Sequence, residues 1–172
     1  AGLDFNSGQP VAITNGQTYV EQFHTEGSSV ISDSSGNLLF YSNGMKVWNK
    51  NHQVMPNGDS LLGHHSSSQA ALIIPEPGSS RFYYVFTTSD GYFQNLQYGL
   101  RYSVVDMCLN GGLGDVVNGK KNLLLLDTVA EKLTAVPHTN GTDFWVLVHK
   151  YFSKDFYAFR LSSTGITGTV IS

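Results

Sequence analysis

Three segments of the chain repeat one order of events, and the second run of each is apolar on both of its faces. In the first, Ser29-Val30-Ile31-Ser32 meets the turn Asp33-Ser34-Ser35-Gly36 and returns as Asn37-Leu38-Leu39-Phe40-Tyr41. The dipeptide Asn43-Gly44, a strong two-residue hairpin signal, then leads into Met45-Lys46-Val47-Trp48-Asn49. In the second, Ala70-Ala71-Leu72-Ile73-Ile74 runs into Pro75-Glu76-Pro77-Gly78, and Phe82-Tyr83-Tyr84-Val85-Phe86 follows. Leu100–Asp106 and Lys121–Leu126 complete that unit. In the third, Leu133–Val136, the turn Thr139-Asn140-Gly141-Thr142, Phe144–Val148 and Phe156–Leu161 recur in the same order, with Gly168–Ser172 as an outer strand. Gly36, Gly78 and Gly141 occupy equivalent places, and their spacings bracket a four-stranded unit of roughly 40–50 residues with insertions.

A strand without a polar face has to lie between two other layers, which is the condition of a propeller blade. A two-sheet sandwich would show more strands with one polar face. The expected fold is therefore all-β: a β-propeller fragment of about three four-stranded antiparallel blades in a single region over residues 1–172, with approximate blades at 20–62, 68–128 and 131–172. Its expected core includes Val30, Leu39, Phe40, Trp48, Ile73, Tyr84, Phe86, Val104, Trp145 and Leu147. From Asn122 to Val136 the leucines also fit helical spacing. Strand–turn–strand is preferred because Leu133–Val136 fills the first-strand slot of the third unit.

Composition agrees. Only 13 % of residues are charged, while 18 glycines and 12 % aromatic residues favour strands and tight turns over surface helices. Ten basic against thirteen acidic residues leave no basic stripe for nucleic acid. No apolar run approaches the ~18 residues of a membrane span. The polar start Ala1–Gly8 does not read as a signal peptide, although removal of one would leave the same start. The single cysteine, Cys108, is expected as a buried strand thiol.

Several phrases carry a resemblance. Gly2-Leu3-Asp4-Phe5-Asn6-Ser7-Gly8, Ile31-Ser32-Asp33 with Gly36–Tyr41, and Val47-Trp48-Asn49 are similar to one family, as are Leu100–Met107, Asn110–Asp115 and Glu131–Val136. It is the N-terminal β-propeller-like region of large Bacteroidetes surface proteins, typically exported by type IX secretion and often bearing a gliding-motility-associated C-terminal sorting domain. The resemblance covers nearly the whole chain. It implies a secreted or cell-surface location and a role in adhesion or binding, and it supplies no catalytic residue and no cofactor. Three units without a sorting domain fit a part of a larger chain.

The remaining constellations are read against simpler alternatives. His64 and His65, if in a strand, would point to opposite faces and share no metal ion. Asp33–Asn37 lacks the ligand pattern of a calcium loop and reads as a hairpin turn. Gly111-Gly112-Leu113-Gly114-Asp115 lacks the third glycine and following helix of a phosphate loop, so its glycines serve positive φ in a turn. No G-x-S-x-G elbow occurs, and spacing alone selects no pair among thirteen carboxylates. Asp59-Ser60-Leu61 and Asp127-Thr128-Val129 resemble the Bacteroidetes O-glycosylation acceptor, with Ser60 and Thr128 as acceptors.

A non-catalytic module for adhesion or binding, to extracellular polysaccharide or a surface protein partner, is the expected function. A structural spacer and a polysaccharide-degrading propeller enzyme are the alternatives. In a four-stranded meander the second-to-third loop and the crossing to the next blade lie at one end. That end is expected to gather 63–66, 88–98, 127–132 and 150–155. Tyr92, Phe93 and Tyr98 are the expected stacking platform, with His64, His65, Glu131, Lys132 and Tyr151 hydrogen-bonding around it. Exposed blade faces are expected to be covered by the remaining blades of a larger chain, a second copy or a partner.

Overall fold

The structure is a computed structural model that describes residues 2–18, 26–90 and 98–172. Fourteen strands and one three-residue 3-10 turn, Asn110–Gly112, make up its regular structure among these residues. Among the described residues all ladders are antiparallel and form four sheets. A hairpin of β1 (Gly2–Asp4) and β2 (Val11–Ile13) comes first. A first meander follows, of β3 (Ser29–Ser32), β4 (Leu38–Ser42) and β5 (Val47–Asn49). The middle sheet has the order β10-β8-β7-β6, from β6 (Ala71–Pro75), β7 (Phe82–Thr88), β8 (Leu100–Asp106) and β10 (Leu123–Leu126), with β9 (Asp115–Val116) also pairing β8. The last sheet is the four-stranded meander β11 (Val129–Pro137), β12 (Phe144–Lys150), β13 (Phe156–Ser162) and β14 (Gly165–Ile171).

The all-β expectation holds, and so does strand–turn–strand over 122–136, where β10 and β11 lie. Gly36, Gly78 and Gly141 sit in the turns β3–β4, β6–β7 and β11–β12, at φ of 84°, 77° and 75°. A side chain there would strain the left-handed backbone, which explains why one residue type marks all three turns. The Asp33 turn closes as expected: its carboxylate accepts from the Ser35 and Asn37 backbone N–H groups, both at 2.9 Å.

The middle sheet is buried on both faces. Along β7, Tyr84 and Phe86 face one way and Tyr83 and Val85 the other. The first pair joins Ile74, Leu100 and Val104 in a core shared with Val129, Leu133, Val146, Val148, Phe159 and Leu161 of the last sheet. The second pair joins Ile73, Val105 and Val116 in a core shared with Phe40, Val47, Met55 and Leu61 of the first sheet and its following loop. Phe40 meets Tyr83 edge to face with ring centroids 5.4 Å apart. Successive residues of one strand thus enter two different cores.

Five expectations are corrected. Among the described residues the first sheet has three strands rather than four, because 50–70 runs as turns that add only the Trp48–Val54 bridge. The Asn43-Gly44 connection is four residues long, since Ser42 pairs with Val47. Val30 is 64 % exposed on the face of β3 turned away from the middle sheet. In β12 the inward residues are Val146 and Val148, which leaves Trp145 and Leu147 half-buried on the outer face. Cys108 is exposed in the turn after β8, because that strand ends at Asp106.

The two-core arrangement predicts a sharp contrast in stability. Phe86→Ala empties a fully buried ring site and is expected to cost about 3–5 kcal/mol, whereas Val30→Ala stays within about 0.5 kcal/mol. Urea denaturation of the two variants checks this.

Candidate functional site

The ends of β4, β7, β10 and β12 and the starts of β6, β8, β11 and β13 lie together, and the segment 61–70 ties them. Gly63 N donates to Gly44 O at 3.0 Å, and His64 N donates to Thr88 O at 3.2 Å. The Ser67 and Thr88 hydroxyls bond at 2.8 Å. Toward the last sheet, Ser68 donates from its backbone N and its hydroxyl to Glu131 Oε2, at 2.9 and 3.1 Å. Lys132 Nζ donates to Ser68 Oγ at 2.9 Å, and Leu133 N donates to Gln69 Oε1 at 2.6 Å. Tyr151 N donates to Thr128 O at 2.8 Å, and Lys150 stands 3.8 Å from Asp127.

The structure therefore joins Glu131 and Lys132 to the crossing that carries His64 and His65, and ties Tyr151 to Thr128 in the connection before β11. Glu131 and Lys132 both act on Ser68, so they join the middle crossing to the last sheet. Tyr98 is half-buried, and its carbonyl accepts from Arg101 Nε at 2.8 Å. The next residue, Gly99, packs so closely on Leu126 and Asp127 that a Cβ would collide with the Leu126 carbonyl. Tyr92 and Phe93 lie outside the described residues. Phe152, which the sequence reading passed over, is 86 % exposed beside Tyr151, with ring centroids 4.2 Å apart. The signal was available: an aromatic pair directly before the polar turn Ser153-Lys154-Asp155.

The two histidines correct an expectation. They lie in a non-strand connection, where the side-chain alternation of a strand does not apply, and their rings stand 4.2 Å apart. Burial, and next the neighbouring His64, hold the His65 imidazole below its ordinary pKa.

This end is also where buried polarity concentrates. Ser42, Asn43, Ser67, Thr87, Thr88, Ser89 and Asp90 are all buried at the ends of β4 and β7 or in the crossing segment. Asn43 Oδ1 accepts from Met45 N and Lys46 N, both at 3.0 Å, but its Nδ2 has no hydrogen-bond partner. Neither Ser89 Oγ nor either oxygen of Asp90 has one. A cavity of about 390 Å³ opens between Glu26, Ser28, Ser29, Ser68, Gln69 and Leu133. A second groove, of about 660 Å³, separates the N-terminal hairpin from the outer face of the first sheet. Tyr41 lines it, with its hydroxyl accepting from Gln17 N at 3.1 Å and bonding His52 Nδ1 at 3.0 Å.

The opposite strand ends are closed by paired charges. Arg81 bonds Asp106 through Nε and Nη2, at 2.8 and 2.6 Å, and Arg160 Nε donates to Asp143 at 2.8 Å. These arginines hold both carboxyl groups below the usual carboxylate range. Ser60 is exposed, whereas Thr128 is half-buried with its carbonyl engaged by Tyr151. Gly111, Gly112 and Gly114 have φ of 64°, 85° and 81°, as a turn requires.

Comparison with protein-family models, with curated proteins and with solved structures found no match for this chain.

The depressed groups set the sign of the pH response. A histidine with a lowered native pKa is protonated first in the unfolded chain, so stability falls as pH drops below about 6.5. The lowered Asp106 and Asp143 add a second loss as pH falls through the acid range. Urea midpoints are expected to decline from pH 8 to pH 5, and His65→Gln is expected to flatten that decline while leaving the steeper loss below about pH 4.

Proposed function

We infer that the chain is a non-catalytic, secreted or cell-surface binding module and part of a β-propeller. Its partner is an extracellular polysaccharide or a surface protein. The observation that carries this reading is the convergence of connections from three successive sheets on one end, joined through His64–Ser68, Glu131–Lys132 and Thr128–Tyr151. Such an end offers many polar groups and exposed aromatic surface on a rigid scaffold, which suits recognition of a sugar or an extended peptide. Tyr92, Phe93 and Tyr98 supply aromatic faces in this reading, and Phe152 adds one more.

The propeller reading is supported by the stacking of successive meanders, with the middle sheet covered on both faces. The outer face of the last sheet carries Val136, Phe156 and Val170 at 45, 55 and 54 % exposure, around half-buried Trp145 and Leu147. Trp145 pairs with Val136 and Arg160, and Ala158 pairs with Leu147 and Val170. The remaining blades of a larger chain, a second copy or a partner cover this face in the proposed assembly. Ser60 is then the better placed of the two candidate glycan acceptors.

Glycan-array screening followed by titration tests the binding reading. Replacing Tyr92, Phe93 and Tyr98 together with Ala is expected to weaken binding tenfold or more, since one aromatic contact contributes about 0.5–1.5 kcal/mol. A triple variant that binds as tightly as the parent contradicts the proposed face, and a chain that binds nothing supports the spacer reading.

A further inference from the structure

The outer edge of the last sheet is open. Among the described residues no strand pairs β14 on the side away from β13. Phe156 N donates to Ser172 O at 2.9 Å and Ser172 N donates to Phe156 O at 3.0 Å, so these two form a hydrogen-bonded pair. The alternation of an antiparallel ladder gives Ala158–Val170 the same state. It turns the N–H and C=O groups of Thr169 and Ile171 away from β13. A register shift falls at Thr167, and the pairing of Gly168–Ile171 runs unbroken beyond it.

Such an edge is a template for another strand, and chains usually blunt it with charge, proline or a very short strand. The other edges are guarded. β11 carries Glu131, Lys132 and Pro137, while β10 is four residues long, broken by a register shift and bounded by Lys121 and Asp127. β5 is closed by the loop after it, where Val47 N donates to Gly58 O at 2.8 Å and Asn49 N to Gln53 O at 2.9 Å. β3 and β6 meet where Ile73 N donates to Ser29 Oγ at 3.1 Å. β14 has seven residues, none of them charged and none proline. Thr169 is exposed, and Val170 and Ile171 are 54 and 59 % exposed.

We propose that β14 pairs antiparallel with β14 of a second copy of the chain, about a two-fold axis at Val170. A strand that fits this edge has to be uncharged and β-branched, with outward N–H and C=O groups at matching alternate places. β14 meets that description itself. With the axis at Val170, Thr169 faces the partner's Ile171, and Ile171 faces the partner's Thr169. Both are hydrogen-bonded pairs, each exchanging two N–H···O bonds. Between them the two Val170 side chains meet in the closer, non-hydrogen-bonded pair. Each copy uses its edge once, so the assembly closes at two. The pairing does not depend on what the loop end binds.

Sedimentation equilibrium of the full chain over a wide concentration range tests the pairing, with circular dichroism to follow folding. A reversible monomer–dimer equilibrium is expected. Thr169→Pro removes an outward N–H and no bond to β13, so it is expected to weaken dimerisation at least tenfold with the β signal retained. If that variant fails to fold, Thr169→Lys is measured instead, and the same loss is expected because a charge then stands on the edge. Thr169 pairs with Phe159, a core residue, so both variants leave the outer face of Trp145 and Leu147 untouched. A parent that stays monomeric throughout overturns the proposal, as does association beyond two copies. A dimer that a folded variant forms as tightly as the parent, the result expected of association through the outer face, also overturns it.

Discussion

In β7, Val85 and Phe86 are neighbours in sequence, both wholly inaccessible to water, and they lie in different cores. A strand with that property cannot give either face to solvent, since each buried side chain of this size contributes about 1.5–3 kcal/mol only while its cover stays in place. The rest of the fold follows from supplying two covers. The first meander and its 50–62 loop close one side with Phe40, Val47, Met55 and Leu61, and the last meander closes the other with Leu133, Val146, Phe159 and Leu161. Loss of either neighbouring sheet would expose one complete face of the middle sheet.

This constraint was legible in the residues because Phe82–Phe86 has no polar alternate position, and the three glycine turns marked where each meander begins. What sequence could not give was the direction of strands that are apolar throughout. Phe144–Val148 contains two equally apolar sets, and its packing against Phe159 and Leu161 of β13 decides that Val146 and Val148 turn inward. Val30 failed for the complementary reason: β3 is an edge strand whose inward residue is Ile31. Cys108 looked like a continuation of β8, but Asp106 stops that strand by bonding Arg81 and capping Cys108 N at 2.9 Å. Within the candidate site, the convergence of the loops was legible from meander geometry. The meeting of His64 with His65 and Asp90 was not, because it depends on a turn rather than on strand periodicity.

The two ends of the stack differ in how they treat buried charge. At the end of Arg81 and Arg160, each inward carboxylate meets a guanidinium, an arrangement that completes its hydrogen bonding. At the loop end, Asn43, Ser89 and Asp90 are buried with polar atoms unmatched. Local rules of polar satisfaction are broken at that end alone among the described residues, and such breaks concentrate where a chain does something besides fold. The converging connections of the proposed function and the unmatched buried polar atoms lie in the same region.

Residue-level amide hydrogen exchange tests the central claim, that the middle sheet is locked between two covers. Amides of Tyr84, Val85 and Phe86 in β7 are expected to exchange only through global unfolding, and slower than those of the edge strand β14. Exchange in β7 as fast as in β14, at a pH and temperature where the chain is folded, would contradict a middle sheet covered on both faces.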